Sequence, residues 1–343
     1  MRRSLKIFLA IFLSILTIFL LVVTLSSLYL SSKLDYPIKD IVSDIKSAKS
    51  TSQNDFQYNF LILGYDYRQD AFENSLNTDT IIFANYQTKT NTASLLALPR
   101  DLWDYKNDFK INQIYQKSLS TNMPITNTKS EFERILGTPI DRVLILSTND
   151  IINIVDLLGG LDIYLEKGFV DDKYPNQAFI DDPNSGAPIY TTIEFKDGWN
   201  HLDSSNITQF IRSRKSSEIA SQGGTDLGRI QRQEQLINTL IDKLKSDYLY
   251  KNPSSALALY HYWQNTLQTD FTHQDLFRIV LNQKKDILNL SIKKYSLTIG
   301  EGPKDSDIYH PLNFINRQWV FIPSSPDYQE IKDKVQLILN GQS

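Results

Sequence analysis

The apolar positions fall into runs of different length, and each length predicts a different element. An uncharged run from Ile7 to Ser32, dominated by Leu, Ile, Phe and Val, follows Arg2, Arg3 and Lys6. Crossing a bilayer as a helix takes about 20 apolar residues, whereas a cleaved signal peptide has an apolar region of about 7–15 and a small-x-small cleavage site. No such site follows, so residues 7–30 are expected to form a single transmembrane anchor behind a short cytoplasmic tail, residues 1–6. The positive flank stays inside, which puts Lys33 onward outside the cell membrane. From 31 to 55 the chain turns polar, with Ser, Lys, Asp and Gln interleaved, and reads as a stalk.

Shorter runs follow. Phe60 to Leu63 ending at Gly64, Thr80 to Ala84, Ala93 to Leu98 and Val143 to Leu146 have the length and composition of buried strands. Lys110 to Leu119, Ser130 to Leu136 and Asn149 to Leu157 have helical patterns between and after them. Strands alternating with helices predict an α/β domain, a central mixed β-sheet covered by helices, over residues 56–246. Residues 247–343 are expected to be a helical extension packed on it, with Tyr295 to Leu297 and Trp319 to Ile322 as candidate late strands.

Composition removes several functions. With no cysteine there are no disulfides, thiolate metal sites or cysteine nucleophile, and four scattered histidines argue against a histidine metal site. Lys and Arg number 36 against 39 Asp and Glu, so the single-sign surface of a general nucleic-acid binder is missing and any anion site must be built locally.

The local candidates cluster at strand ends. Asp66 follows the Gly64 turn, where ligands sit in open α/β sheets, although a plain turn aspartate is the rival reading. Asp79 stands at the start of the next strand, and two carboxylates so placed could share a Mg²⁺ whose other positions are filled by water and phosphate oxygens. Arg100, after the strand-stopping Pro99, could fork onto phosphate or pair with Asp101 or a neighbour. Arg212 and Arg214, two apart, would face one site together only from a strand or loop. A helix is predicted from Thr225, with its core stripe on Ile237, Leu240, Ile241 and Leu244. Helical spacing puts Asp226, Arg229 and Gln233 on that stripe, where an unpaired charge is costly, so they serve either a site or a buried ion pair. Arginines gathered in a near-neutral chain imply a concentrated anion such as pyrophosphate. Residues 216–224 form either a lid or an ordinary loop. Gly223-Gly224 lacks the spacing of a nucleotide P-loop, and His201 has no identifiable triad partner.

Leu63-Gly64-Tyr65-Asp66, Thr78-Asp79-Thr80, Pro99-Arg100-Asp101, Lys110-Ile111-Asn112, Val155 to Leu161, Arg212-Ser213-Arg214 and Asp226 to Gln233 resemble, in order, the LytR-CpsA-Psr family. The resemblance spans about residues 58 to 246, and Asn77 departs from it where the family commonly carries an arginine. It implies a membrane-anchored phosphotransferase that moves a polyprenyl-pyrophosphate-linked glycopolymer, of teichoic acid or capsular polysaccharide type, onto peptidoglycan. Carried over by motif, Asp66 and Asp79 would hold Mg²⁺. Arg100, Arg212, Arg214 and Arg229 would bind the pyrophosphate, Asp226 would orient them, and Lys110, Arg232 and Gln233 would lie on the substrate side. An apolar slot for the polyprenyl tail is implied as well. A pyrophosphate hydrolase would use the same residues with water as acceptor. A noncatalytic glycopolymer-binding envelope protein would need the arginines without the metal pair.

Overall fold

The computed structural model describes residues 29, 31–51, 56–66, 76–213, 226–246, 248–282 and 290–342. They divide into two units, residues 1–54 with 272–284, and the remainder. In the first, helices α1 (Ile38–Thr51) and α6 (His273–Asn282) are described. Tyr36 stacks on His273 at 4.0 Å between ring centroids, and Thr272 and Asp275 exchange hydrogen bonds that cap the start of α6. The segment 7–30 expected to be the anchor lies outside the described residues apart from Tyr29, and among the described residues no helix is long and apolar enough to cross a membrane.

The second unit is built on strands β1 (Gln57–Tyr65), β2 (Thr78–Gln87), β3 (Thr92–Ala97), β4 (Trp103–Asp104), β5 (Phe109–Lys110) and β6 (Arg142–Ser147). It continues through β7 (Leu161–Leu165), β8 (Phe169–Pro175), β9 (Tyr190–Phe195), β10 (Gly198–Leu202), β11 (Gln268–Thr269) and β12 (Ser291–Tyr295). Six strands form the central sheet in the order β11-β6-β1-β2-β3-β12. The sheet is mixed: β1 and β6 are parallel, as are β3 and β12, and the other neighbours are antiparallel. The period-two burial of β6, with Val143, Ile145 and Ser147 inward, fixes its register against β1.

Helix α2 (Pro124–Leu136) covers one face of this sheet through Phe132, Ile135 and Leu136, packed with Leu61, Leu63, Ile81 and Phe83. It starts with proline in its first turn and stops at Gly137, whose φ of 68° suits glycine best. The expected helix from Lys110 is shorter than predicted: Lys110 belongs to β5, a 3₁₀ turn spans Ile111–Gln113, and the α-helix covers Ile114–Ser118.

Residues past 246 do more than the helical extension expected of them. They supply both outer strands of the central sheet, β11 and β12, and helix α7 (Gln329–Leu339) packs Ile331, Val335 and Ile338 into the main core. These strands pair the exposed edges that β6 and β3 would otherwise present to solvent. The late strands are offset from the sequence reading, at Ser291–Tyr295 and at β15 (Ile322–Pro323), which joins β13 (Ile299–Gly300) and β14 (Ile308–Tyr309) in a small sheet. A second core joins helix α3 (Thr148–Leu157), β7, the β8–β9 ribbon, helix α4 (Ile207–Arg212) and helix α5 (Asp226–Lys245), around Leu161, Ile163, Phe195, Phe210 and Leu236.

Candidate functional site

The parallel strands β1 and β6 end together, with Tyr65 opposite Ser147. Asp66 and Thr148 therefore leave adjacent carboxyl ends, the place where open α/β sheets bind ligands. Ser147 caps α3 in a reciprocal box with Asp150, so Thr148 begins the helix. Thr148 Oγ1 donates to Asp66 Oδ1 at 3.0 Å, and Arg212 Nη2 donates to the same oxygen at 2.7 Å.

A bulge brings in the second carboxylate. Gly64 faces Thr80 but Tyr65 faces Thr78, which leaves Asp79 as the extra residue. Bulges re-aim side chains, and here Asp79 and Thr80 are both exposed where alternation would bury one. A Cβ on Gly64 would lie 3.1 Å from Thr80 Cβ, so the glycine keeps the bulge uncrowded. Arg100 Nη1 donates to Asp79 Oδ1 at 2.6 Å, its Nε lies 3.5 Å from Asp101 Oδ2, and Lys110 Nζ donates to Asp101 Oδ1 at 2.6 Å. Burial alone would lower the Arg100 pKa, but Asp79 and Asp101 outweigh it and raise it, so the guanidinium stays charged.

Each of the three described cations thus rests on a carboxylate already. Arg212, Arg100 and Lys110 are held by Asp66, Asp79 and Asp101, an arrangement that fixes donors without a net positive surface. The Nε of Arg212 is buried with no hydrogen-bond acceptor, which typically costs about 1–3 kcal/mol and is relieved by an oxygen anion. The side-chain oxygens of Asn77 and Asn112 are likewise buried without a donor. Among the described residues no group of three or more His, Cys, Asp or Glu could hold a metal. Asp66 and Asp79 are hard oxygen donors, the type of which Mg²⁺ takes one or two while water and phosphate fill its other positions.

The backbone that carries Arg212 is clamped from behind. Arg232, only 4% exposed, donates through Nε to Phe210 O at 2.8 Å and through Nη2 to Ser213 O at 2.6 Å. Its guanidinium lies 4.2 Å over the Phe169 ring. Gln233 Nε2 donates to Ile211 O, and Ser213 Oγ donates to the buried Asp171 at 2.7 Å. The carbonyls left open at the end of α4 are satisfied in this way.

Several sequence expectations change. Arg232 and Gln233, expected at the substrate, bind main-chain carbonyls instead. The inward stripe of α5 is Arg232, Leu236 and Leu240, while Gln233, Ile237 and Leu244 are exposed. The stripe is rotated because a buried arginine that caps carbonyls and stacks on a phenyl ring can occupy a core position. Arg212 sits on the last turn of a helix, not on a strand or loop. His201 does have a partner, Asp162, at 2.7 Å. Arg214, the segment 216–224 and the side chains of Asp226 and Arg229 lie outside the described residues. Thr148 and Asp171 were missed, whereas Asp101, weighed as a partner of Arg100, also holds Lys110. The Ser147 capping box marks Thr148 as a helix start, and Asp171 betrays itself only as an acid at the inward position of an alternating strand.

Known proteins share this architecture. The LytR_cpsA_psr family profile matches residues 26–336. The chain belongs to the LytR_cpsA_psr family. Over 175 residues it is 27% identical to the polyisoprenyl-teichoic acid–peptidoglycan teichoic acid transferase TagV of Bacillus subtilis, a match covering 49% of this chain and 39% of TagV. Over 258 residues it is 24% identical to the TagU transferase of the same description from Halalkalibacterium halodurans, covering 74% and 73% of the two chains. The crystal structure of B. subtilis TagV superposes with a TM-score of 0.55 at 20% identity, over 84% of this chain and 99% of that one, so the family fold is shared.

Proposed function

We propose that this chain transfers a polyprenyl-pyrophosphate-linked glycopolymer, of teichoic acid or capsular polysaccharide type, to peptidoglycan and releases polyprenyl phosphate. The single observation that carries the proposal is the buried Nε of Arg212, which lacks an acceptor beside two carboxylates and further cations at paired strand ends. Family membership and the names of the relatives support the choice of reaction.

An acceptor hydroxyl on the glycan attacks the phosphorus that bears the saccharide, and the bond from that phosphorus to the polyprenyl phosphate oxygen breaks. Arg212, Arg100 and Lys110 neutralise the charge that moves onto the leaving phosphate, the main task of a protein in phosphoryl transfer. Asp66 or Asp79 takes the hydroxyl proton. By the family motifs, Arg214 and Arg229 would bind the same anion and Asp226 would orient them. Asp66 and Asp79 would hold Mg²⁺, which would supply further charge neutralisation at the pyrophosphate. Residues 7–30 anchor the enzyme in the cell membrane, with the catalytic domain outside.

The test incubates the full chain in detergent micelles with a polyprenyl-pyrophosphoryl saccharide, peptidoglycan fragments and Mg²⁺, and weighs the products by mass spectrometry. A saccharide-phosphate adduct on the glycan, absent after chelation and in Asp79→Asn and Arg212→Ala, is expected. Free saccharide phosphate alone would make the enzyme a hydrolase. An unchanged donor would leave a binding protein.

A further inference from the structure

The loop before β15 carries large apolar side chains outward. Leu312 is fully exposed, Phe314 is 65% exposed and Trp319 is 43% exposed. Single exposed apolar residues are ordinary, but here three of them share one short loop, which marks an interaction site. The loop is built rigidly. Ile315 and Gln318 form an antiparallel bridge, and Asn316 and Arg317 between them both have positive φ, 49° and 61°. That is the two-residue primed turn of a tight hairpin, with Arg317 exposed at its apex.

The base of the hairpin is fixed on both sides. Val320 is fully buried against Trp103, Ile315 packs on the same small cluster, and His310 Nδ1 lies 2.8 Å from Val320 O. Trp319 is braced between His310, 4.8 Å away, and Phe321, 4.6 Å away, measured between ring centroids. Neither Leu312 nor Phe314 contributes to that buried cluster.

The hairpin grows out of the candidate site. Phe321 N donates to Asp101 O at 2.9 Å, and Trp103 N donates to Phe321 O at 2.8 Å. Asp101 is the residue that holds Lys110 and faces Arg100, so backbone hydrogen bonds join the base of the hairpin directly to the rim of the site. Asn316 Nδ2 also donates to Asp108 Oδ2 at 3.2 Å, which ties the turn to the neighbouring loop.

The geometry points to this hairpin as a membrane-inserting tip that seats the site on the lipid surface. Leu and Phe suit the hydrocarbon, Trp suits the headgroup boundary, and Arg317 complements lipid phosphates. The choice of a membrane over a protein partner rests on the reading that the donor is lipid-linked, because a pyrophosphate at the bilayer surface is reached only by a site held there.

The chain has no cysteine, so single labels are clean. Asn313→Cys, and Asn184→Cys in a different exposed loop, are each labelled with an environment-sensitive fluorophore. The full chain is then reconstituted in phosphatidylglycerol and phosphatidylcholine vesicles containing a doxyl-labelled lipid. Several-fold stronger quenching at 313 than at 184 is expected, and Leu312→Asp with Phe314→Asp should abolish the difference. Equal quenching at the two positions, or quenching at 313 that survives the aspartates, would overturn the proposal. Turnover is measured on the same proteins in detergent. Transfer without selective quenching sinks the tip alone, whereas quenching without transfer supports the tip and sinks the transferase reading.

Discussion

The Arg100–Asp79 and Arg134–Asp104 pairs have nearly the same length, 2.6 and 2.7 Å, yet the first side chains are 53% and 47% exposed and the second 28% and 0%. In the first pair water competes with the contact, so the attraction adds little to stability and a ligand can replace it. In the second, Asp104 is held from every side. It accepts from Arg134, from Asn107 Nδ2 at 2.7 Å, from the Lys106 amide at 3.2 Å and from Tyr328 Oη at 3.0 Å. Those partners join β4, α2 and the start of α7, three distant parts of the chain. The same chemistry serves recognition where solvent reaches it and architecture where solvent does not.

The sharpest way to break this comparison is Arg134→Met. It strands a fully buried carboxylate, and removal of one partner from a buried pair typically costs about 3–5 kcal/mol. Urea unfolding should show that loss, while the transfer rate per folded molecule stays close to the parent value. Arg100→Ala should do the reverse. Its loss of a preorganised donor should raise the barrier by about 2–4 kcal/mol in kcat/KM. Its unfolding free energy should move by no more than about 1 kcal/mol. Equal stability losses in the two variants would erase the distinction. A smaller effect sharpens it: Tyr328→Phe deletes one hydroxyl donor to Asp104 and should cost about 1 kcal/mol in the same urea measurement. Burial and then Asp104 push the Tyr328 phenol up to about 12, so the hydroxyl remains a donor throughout the working range.

The first of these regions was legible in the sequence and the second was not. Asp66 and Arg100 could be placed because each lies just past the end of an apolar run, and Asp79 because it stands just before one, and a strand end is a local signal. The bulge that turns Asp79 outward was not visible, since it depends on the pairing of Tyr65 with Thr78. Asp104 carried no signal in the sequence, because its burial is produced by α2 and α7, which arrive from far along the chain. Arg232 was misassigned for a related reason. A periodicity argument places charge outward or at a site, and it cannot see that the carbonyls of Phe210 and Ser213 wait opposite a core position. The two-residue β11 is too short to announce itself, and β12, which carries two lysines, showed in the sequence only at its end, Tyr295.

The smallest expected effect is a pH dependence confined to the buried network. Burial would raise the Glu131 pKa, but hydrogen bonds from Lys106, Arg134 and Asn107 outweigh it and hold the carboxyl below its ordinary value. The unfolded chain then binds a proton at a pH where the folded chain does not, so folded stability falls as pH drops below the ordinary carboxylate range of about 4–5. Above that range the contribution is complete and constant. Urea midpoints taken downward from pH 6 should therefore stay level and then decline, and Glu131→Gln should decline less steeply over the same interval. The exposed pair supplies the control. Arg100→Ala should leave the slope of the acid limb where it was, because the exposed contact it removes adds little to stability, and a slope that followed Arg100 instead of Glu131 would place the acid-sensitive part of the fold at the site rim.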